Sequence, residues 1–235
     1  MVMPANNTSG IVHWVAGKAP GSMGLLYTPA RSERPVHWLP YALDNGAFAL
    51  AVKGLAFNWD AWAAALDRYL DHMTPPRWLV VPDVPFFGEE TVRLWNDLAP
   101  VYRSRTSAPL ALAVQNGMTV ESVKALPVQP DVIFVGGDTE WKWRTVGDWC
   151  ASFPRVHVAR VNGRPGLDTC VKHGAESCDG SGWFRGREAQ LVHLFDFLAD
   201  FWGLDKSELR DAARSTRFKN QDQMVLFHAK EPTSG

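Results

Sequence analysis

The sequence predicts an α/β fold built as a single (β/α)8 barrel, also called a TIM barrel. Short apolar runs alternate with helical patterns along nearly the whole chain. Most of these runs are continuously apolar, as expected for parallel strands whose outer face is covered by helices. Eight such runs in a chain of 235 residues also fit this fold, which typically needs ~250 residues.

Eight segments carry the strand pattern, and they are spaced as successive β-α units require. The predicted strands are Ile11–Ala16, Gly24–Tyr27, Tyr41–Asp44, Trp78–Val81, Leu110–Val114, Val132–Val135, Val156–Arg160 and Glu176–Cys178. No helix is predicted between the first two strands, where only a Gly- and Pro-rich turn over Gly17–Ser22 is found. A doubly wound open sheet is therefore the alternative fold.

Helical periodicity separates most of the other strands. In Asn58–Met73, the tryptophans Trp59 and Trp62 begin an apolar stripe, and Asn58 can cap the amino end. Trp95 occupies a similar core position in the next helix, so packing explains most of the eleven tryptophans without a ligand. The other predicted helices are Glu89–Arg103, Thr119–Leu126, Thr139–Ala151, Gly166–His173 and Arg187–Trp202.

Composition fits one globular domain over residues 1–235, with residues 1–10 and 219–235 expected to be flexible or peripheral. A hydrophobic share of 46% with 21% charged residues supports a sizeable core. The formal net charge is −1, so contacts to nucleic acid would have to come from local basic patches. No oligomeric state is predicted.

The expected compartment is the cytoplasm, or the host cytoplasm if a phage encodes the chain. No run approaches the ~18 apolar residues of a membrane span, so no membrane association is expected. The first residues lack the basic and apolar regions of a signal peptide. The three cysteines, Cys150, Cys170 and Cys178, have the spacing of neither a disulfide framework nor a zinc site.

Polar residues or a Gly-Gly pair follow most of the predicted strands. Because the carboxyl ends of the strands of a (β/α)8 barrel meet at one mouth, we expect these residues to converge there. Taken singly, each is better explained as a helix cap or a turn residue. Together, three carboxylates, an amide and a Gly-Gly pair exceed what packing needs. The three carboxylates are Asp44, Asp83 and Asp179, and the amide is Gln115. The full set of residues that follow the predicted strands is Asp44, Asp83, Gln115, Gly136, Gly137, Asp138, Arg160, Asn162 and Asp179.

Three carboxylates without metal-ligand spacing or paired histidines indicate chemistry carried out by the acids themselves. They suit acid/base catalysis, or a carboxylate nucleophile at an acetal-like carbon such as that of a glycosidic or N-glycosidic bond. Gln115 and exposed N–H groups of Gly136 and Gly137 would suit hydrogen bonds to the edge of a purine. No metal and no cofactor are expected.

Motifs at the strand ends keep the order found in a known superfamily. They are Leu-Asp-Asn-Gly-Ala-Phe at 43–48, Val-Pro-Asp at 81–83, Ala-Val-Gln-Asn-Gly at 113–117, Val-Gly-Gly at 135–137, the segment 158–162 and Gly-Ala-Glu-Ser-Cys-Asp at 174–179. With them the chain resembles the tRNA-guanine transglycosylase (queuine tRNA-ribosyltransferase) superfamily. It is most similar to the shorter phage and bacterial transglycosylases that place deazaguanines in DNA. The resemblance extends from about Leu39 to Phe197.

The resemblance implies a covalent mechanism and a purine-binding site. Asp179 would be the nucleophile and Asp44 the acid/base, while the base would be held by Asp83, Gln115, Gly136 and Gly137. The substrates would be a guanine in DNA and a 7-deazaguanine base such as a 7-cyano form. The zinc subdomain of the tRNA enzymes has no counterpart in the cysteine pattern, which favours DNA over tRNA.

Arginines near the strand ends would contact the phosphate backbone in this interpretation. They are Arg160, Arg164, Arg185 and Arg187. Arg210 and Arg214 would add a basic stripe, with Lys206 and Arg217, on a helix over Asp205–Phe218. The alternative for this helix is a solvated amphipathic surface with internal ion pairs.

Three alternatives to DNA base exchange stay open at this point. The protein could act on tRNA, or it could be a hydrolytic N-glycosylase in which water resolves the adduct on Asp179. It could also be a catalytically silent nucleic-acid-binding subunit. Retention of both Asp44 and Asp179 argues against the silent subunit, because a binding protein needs neither residue.

Overall fold

Eight parallel strands form one nearly closed barrel, which confirms the predicted (β/α)8 fold. The strands are β1 Val2–Pro4, β2 Leu25–Tyr27, β3 Tyr41–Leu43, β4 Leu79–Val80, β5 Leu110–Val114, β6 Val132–Val135, β7 Val156–Val158 and β8 Ser177–Gly180. Their order in the sheet is β1-β8-β7-β6-β5-β4-β3-β2. Two isolated parallel bridges, Val2 to Met23 and Ala5 to Leu26, join the two edges of the sheet.

Helices connect the strands in this computed structural model, which describes residues 1–31, 35–36, 38–70, 74–185 and 188–215. They are α1 Gly10–Lys18, α2 Ala47–Ala51, α3 Trp59–Leu70, α4 Gly88–Arg105, α5 Val120–Lys124, α6 Thr139–Ser152, α7 Arg164–His173, α8 Gly182–Arg185 and α9 Glu188–Trp202. Residues 206–215 are also helical. Within the described ranges, no helix combines the length and the apolar character that a membrane crossing requires.

The first predicted strand is wrong. Ile11–Ala16 belongs to helix α1, whose residues Ile11, Val12 and Val15 are buried against the core. The first strand is β1, paired with β8 through Val2 opposite Cys178. Residues 1–10, expected to be flexible or peripheral, therefore contain a buried barrel strand, whereas residues 219–235 lie outside the described residues. Helix α1 connects β1 to β2, so the reason for an open sheet does not hold.

The other seven predicted strands and the six helices predicted between Asn58 and Trp202 overlap observed elements. The seventh predicted helix, Asp205–Phe218, is helical over its described residues 206–215. Asn58 caps α3 as expected, because its side-chain oxygen accepts the N–H of Ala61 at 2.9 Å. Trp62 and Trp95 are buried, but Trp59 is 48% exposed, so its predicted core position is wrong. Trp59 is the first residue of α3 and contacts Phe57 across 4.7 Å between ring centroids.

Side chains alternate along each strand between the barrel interior and the surrounding helices. Val156 and Val158 of β7 pack outward in the main core, whereas Ala159 faces the interior cluster. Four alanines leave room inside the barrel for the rings of Trp78 and Phe134, whose centroids lie 5.8 Å apart. The interior residues are Met3, Leu26, Ala42, Trp78, Val80, Ala111, Ala113, Val132, Phe134 and Ala159.

Candidate active site

A cavity of about 680 Å3 lies at the carboxyl ends of the strands. Residues from the ends of all eight strands contribute to its lining, from Ala5 after β1 to Asp179 in β8. The predicted convergence at the barrel mouth is therefore confirmed. Seven of the predicted site residues line it together: Asp44, Asp83, Gln115, Gly136, Gly137, Arg160 and Asp179.

Asp179 is held from inside the barrel by a histidine that the motifs did not single out. Nε2 of His157 lies 3.0 Å from Oδ2 of Asp179, and Nδ1 lies 2.8 Å from Oγ of Ser177. The imidazole has no exposed surface. It stacks on Phe134 at 5.0 Å between ring centroids and lies 4.7 Å from Trp78. Asp179 itself belongs to β8, which continues beyond the predicted strand end.

Asp44 follows β3 and is poised for proton transfer near neutral pH. Burial, reinforced by the negative charge of Asp179, raises the pKa of Asp44 from 3.8 to about 7. The backbone N–H of Gly46 donates to Oδ1 at 3.2 Å and partly opposes this rise in pKa. A carboxyl group with a pKa near the working pH can both donate and accept a proton.

Asp83 follows β4 and is fixed by two amide side chains. Asn45 donates to Oδ1 at 2.8 Å and Gln115 donates to Oδ2 at 2.7 Å. Burial raises the pKa of Asp83 to about 6, although both amide hydrogen bonds lower it. Because a carboxylate oxygen has two acceptor sites, each oxygen can accept another hydrogen bond from a ligand in the cavity.

The N–H groups of Gly136 and Gly137 are not exposed donors, so that expectation is wrong. Gly137 donates to Oε1 of Gln115 at 2.8 Å, and Gly136 donates to the carbonyl of Val114 at 3.0 Å. Gln115 is therefore committed to Asp83 and to this turn. A side chain at Gly137, where φ is +64°, would collide with the indole of Trp141. Packing thus accounts for a glycine at position 137.

Arg160 lies inside the cavity among the carboxylates. Its guanidinium lies 4.1 Å from the centroid of Phe48 and donates to the carbonyl of Gly137. Burial lowers the pKa of Arg160, while the negative charges of Asp179, Asp138, Asp44 and Asp83 raise it. An arginine keeps its charge in this setting, so Arg160 offsets the acidic lining. Contact of Arg160 with a phosphate stays a prediction.

A buried lysine supports the strand end that carries Arg160. Nζ of Lys142 donates to the carbonyl of Ala159 at 2.7 Å and to that of Arg160 at 3.3 Å. Burial, followed by the nearby charge of Arg160, lowers the pKa of Lys142 to about 8. The neighbouring Asp138 caps α6, since its side chain accepts the N–H of Trp141 at 2.8 Å. The interpretation of Asp138 as a helix cap is confirmed.

The remaining predicted phosphate contacts do not line the cavity in the described part of the chain. Arg164 is bound by Asp168 at 2.7 Å and by Asp200 at 2.8 Å. The side chain of Arg185, and Arg187 as a whole, lie outside the described residues. A phosphate at Arg164 would therefore have to compete with two carboxylates.

The helix over residues 206–215 carries the ion pairs expected of a solvated surface. Lys206 lies 2.7 Å from Asp196, and Arg214 lies 3.9 Å from Asp211. Glu208 forms an ion pair with Lys18, which is the last residue of α1. This end of α1 lies away from the barrel mouth. A phosphate-binding role of Arg210 and Arg214 stays a prediction, and Arg217 lies outside the described residues.

The cysteines do not form a cluster with other metal ligands in the described part of the chain. Cys170 and Cys178 are buried and Cys150 is half-buried, each with a free thiol. No group of three or more His, Cys, Asp or Glu side chains suited to a metal ion occurs among the described residues.

We expect the purified protein to contain far less than one zinc ion per chain, because its cysteines lack the tetrahedral spacing of a structural site. Elemental analysis after dialysis tests this expectation. About one tightly held zinc per chain would contradict it and would reopen the interpretation of tRNA as the substrate.

The pKa of Asp44 also predicts how stability changes with pH. The folded state holds the proton more tightly than the unfolded state, so stability is lost as pH rises from about 4 to about 7. Asp44→Asn removes this titration. We expect the variant to gain at least about 1 kcal/mol over the parent between pH 5 and pH 8, since one pKa unit is about 1.4 kcal/mol.

Urea denaturation of the parent and of Asp44→Asn at both pH values measures this gain. Asp97→Asn, on the exposed side of α4, is the matched control and should show the same difference from the parent at both pH values. A stability difference for Asp44→Asn that does not grow with pH would show that Asp44 has an ordinary pKa.

In comparisons with known proteins, neither a protein-family model nor a curated protein matches this chain. Fold and site together define a (β/α)8-barrel protein with three carboxylates and one arginine around a single cavity. The resemblance to transglycosylases stays a prediction from the sequence motifs.

Proposed function

We propose that this protein is a base-exchange transglycosylase, an enzyme of the pentosyltransferase class. It replaces a guanine in DNA by a 7-deazaguanine derivative through a covalent intermediate on Asp179. One observation carries the proposal. A carboxylate fixed by a buried histidine and a carboxyl group with a pKa of about 7 line the same cavity.

The first half of the reaction releases guanine. The target nucleotide leaves the base stack and enters the cavity. Oδ1 of Asp179 attacks C1′ of the deoxyribose, and the bond from C1′ to the purine nitrogen breaks. The electron pair of that bond goes to the purine, which takes a proton from the carboxyl group of Asp44, directly or through one water. The products are guanine and an ester between Asp179 and the DNA strand.

The second half inserts the new base. The ionised Asp44 takes the proton from the ring nitrogen of the 7-deazaguanine, and this nitrogen attacks C1′. The bond between C1′ and Asp179 breaks, and its electron pair restores the carboxylate. Two displacements at C1′ give net retention of configuration. Asp44 and Asp179 end in their starting states, so no redox partner is needed.

The rest of the cavity suits a flat, amide-bearing base. Asp83 offers acceptors for the N–H groups along the edge of a guanine. Phe48 contributes an apolar wall, and the guanidinium of Arg160 lies against it. In the proposed complex this cation faces the carbonyl oxygen of the guanine. A volume of about 680 Å3 falls in the range of sites that enclose small molecules, which is ~300–1,000 Å3.

DNA is proposed over tRNA because of the cysteine pattern. In the transglycosylases that the sequence resembles, a cysteine-rich zinc subdomain follows the nucleophile strand and contacts tRNA. Here β8 is followed by α8 and α9, and none of the three cysteines lies after residue 178.

An exchange assay with three nucleic acids tests the proposal. Duplex DNA, single-stranded DNA and tRNA are each incubated with the protein, with and without 7-cyano-7-deazaguanine, and the nucleosides are analysed by mass spectrometry. We expect incorporation into DNA and none into tRNA. Guanine release without an added base would favour the hydrolytic N-glycosylase. Neither release nor incorporation with any substrate would favour a silent binding subunit.

A further inference from the structure

We infer that His157 is a positioning residue for Asp179, which it holds so that one defined carboxylate oxygen faces the substrate. This inference rests on the proposed function, since it deepens the role of the nucleophile. The observation that motivates it is a chain of hydrogen bonds from Ser177 through His157 to Asp179, which lies between the barrel interior and the cavity.

The strand register brings these three residues together. His157 of β7 is the Cα partner of Ser177 in β8. Asp179 follows Ser177 by two residues, so both side chains point to the same side of β8. Ser177 and His157 therefore lie in one layer of interior side chains, and Asp179 lies in the next layer towards the cavity. The imidazole of His157 reaches from the first layer to the second.

Packing alone does not explain a histidine at this place. The ring lies between Trp78 and Phe134 and has no exposed surface. An apolar side chain would fill this space without the cost of desolvating two ring nitrogens. Both nitrogens of His157 are instead bonded, one to Ser177 and one to Asp179, as a buried polar group requires.

We assign the imidazole proton to Nε2, because a carboxylate oxygen such as Oδ2 of Asp179 only accepts hydrogen bonds. Nδ1 then accepts a hydrogen bond from the hydroxyl of Ser177, which can either donate or accept. Within the described part of the chain, Oδ1 of Asp179 has no hydrogen-bond partner. Oδ1 is therefore the oxygen left to attack C1′, and rotation of the carboxylate would break the bond to His157.

His157 keeps its proton throughout both displacements. When Oδ1 is esterified, Oδ2 becomes the carbonyl oxygen of the ester and still accepts the N–H of His157. When the carboxylate leaves C1′, the same bond strengthens because the charge on Oδ2 grows. The histidine thus orients the nucleophile in the first half and stabilises the leaving group in the second half.

A matched pair of amide variants tests the inference. The side-chain nitrogen of His157→Gln can occupy the position of Nε2 and donate to Asp179. The shorter amide of His157→Asn reaches Ser177 but not Asp179. We expect kcat for base exchange to fall by less than about tenfold in the glutamine variant and by on the order of 10²-fold in the asparagine variant. KM for DNA should change little in either, since His157 does not touch substrate.

A second test, by NMR spectroscopy, does not depend on enzymatic activity. In 15N-labelled protein, the imidazole of His157 should appear as the Nε2–H tautomer with a slowly exchanging ring proton. That proton should exchange faster in Asp179→Ala. Equal kcat values in two folded amide variants would overturn the inference, and so would a ring proton that Asp179→Ala leaves unchanged. If the parent exchanges no base, the proposed function fails, and the NMR test alone decides whether His157 holds Asp179.

Discussion

Replacing Asp179 by asparagine should abolish base exchange, with a loss of kcat on the order of 10⁴-fold or more, as expected when a covalent nucleophile is removed. The fold should survive. The amide oxygen can still accept the N–H of His157, so the buried imidazole keeps its partner. Asp179→Ala should be equally inactive and also less stable by ~1–3 kcal/mol, since it leaves that donor unsatisfied.

Single-turnover release of guanine measures the effect, and thermal unfolding tests the fold. Asp97→Asn, the matched control, makes the same chemical change on the exposed side of α4 and should keep full activity. If Asp179→Asn releases guanine within about tenfold of the parent rate, Asp179 is not the nucleophile.

Replacing Asp44 by asparagine should have the second largest effect. Loss of a general acid/base lowers rates by about 10²–10⁴-fold, and the amide cannot give its proton to the departing guanine. In the parent, release of guanine needs the protonated carboxyl group. Because the pKa of Asp44 is about 7, the single-turnover rate should fall as pH rises through that value.

This pH dependence distinguishes acid catalysis from a purely structural role of Asp44. The rates are measured between pH 5.5 and 8.5 for the parent, Asp44→Asn and Asp97→Asn. The descending limb near pH 7 should be present in the parent and in Asp97→Asn and absent from Asp44→Asn. The same descending limb in Asp44→Asn would assign the titration to another group.

Continuous apolar runs were enough to predict seven of the eight strands. The wrong prediction of the first strand has a physical cause. A short apolar run such as Ile11–Ala16 can be either a buried helix face or a buried strand. The true first strand is Val2–Pro4. Its pairing with β8 and the bridge from Ala5 to Leu26 in β2 identify it, and both are contacts between residues far apart in the sequence.

The cavity lining was predictable for a different reason. Parallel strands bring their carboxyl ends together regardless of the loops, so strand-end residues such as Asp44 and Asp83 had to converge. The hydrogen-bond partners of the cavity side chains were not predictable from the sequence. Gln115 is long enough to reach either a ligand or the protein, and it binds Asp83 and the N–H of Gly137.

The hydrogen bond between His157 and Asp179 could have been predicted from the sequence. In Val156–Ala159, His157 is the polar residue of a buried strand, and it lies on the same side as Ala159. Ser177 and Asp179 show the same two-residue spacing in the next strand. Two polar residues on the inner side of neighbouring strands predict a bonded pair inside a barrel.

For the arginines, position in the sequence was not enough to predict whether the side chain is free to bind a phosphate. Arg164 follows a strand end as expected, but its carboxylate partners come from its own helix and from α9. Asp200 is 36 residues further along the chain, and no local pattern connects it with Arg164. The position of Arg164 in the sequence predicts that it lies near the barrel mouth. It does not show that two carboxylates already pair with its charge.

Mass spectrometry of the protein denatured during turnover tests the covalent mechanism most directly. A guanine-containing oligonucleotide is mixed with the protein, the reaction is stopped with acid, and the intact mass and peptide masses are measured. The covalent mechanism predicts a species with the mass of protein plus oligonucleotide minus guanine, attached at Asp179. This species should be lost when 7-cyano-7-deazaguanine is added before the acid. Base exchange without any adduct, or an adduct on a residue other than Asp179, would contradict it.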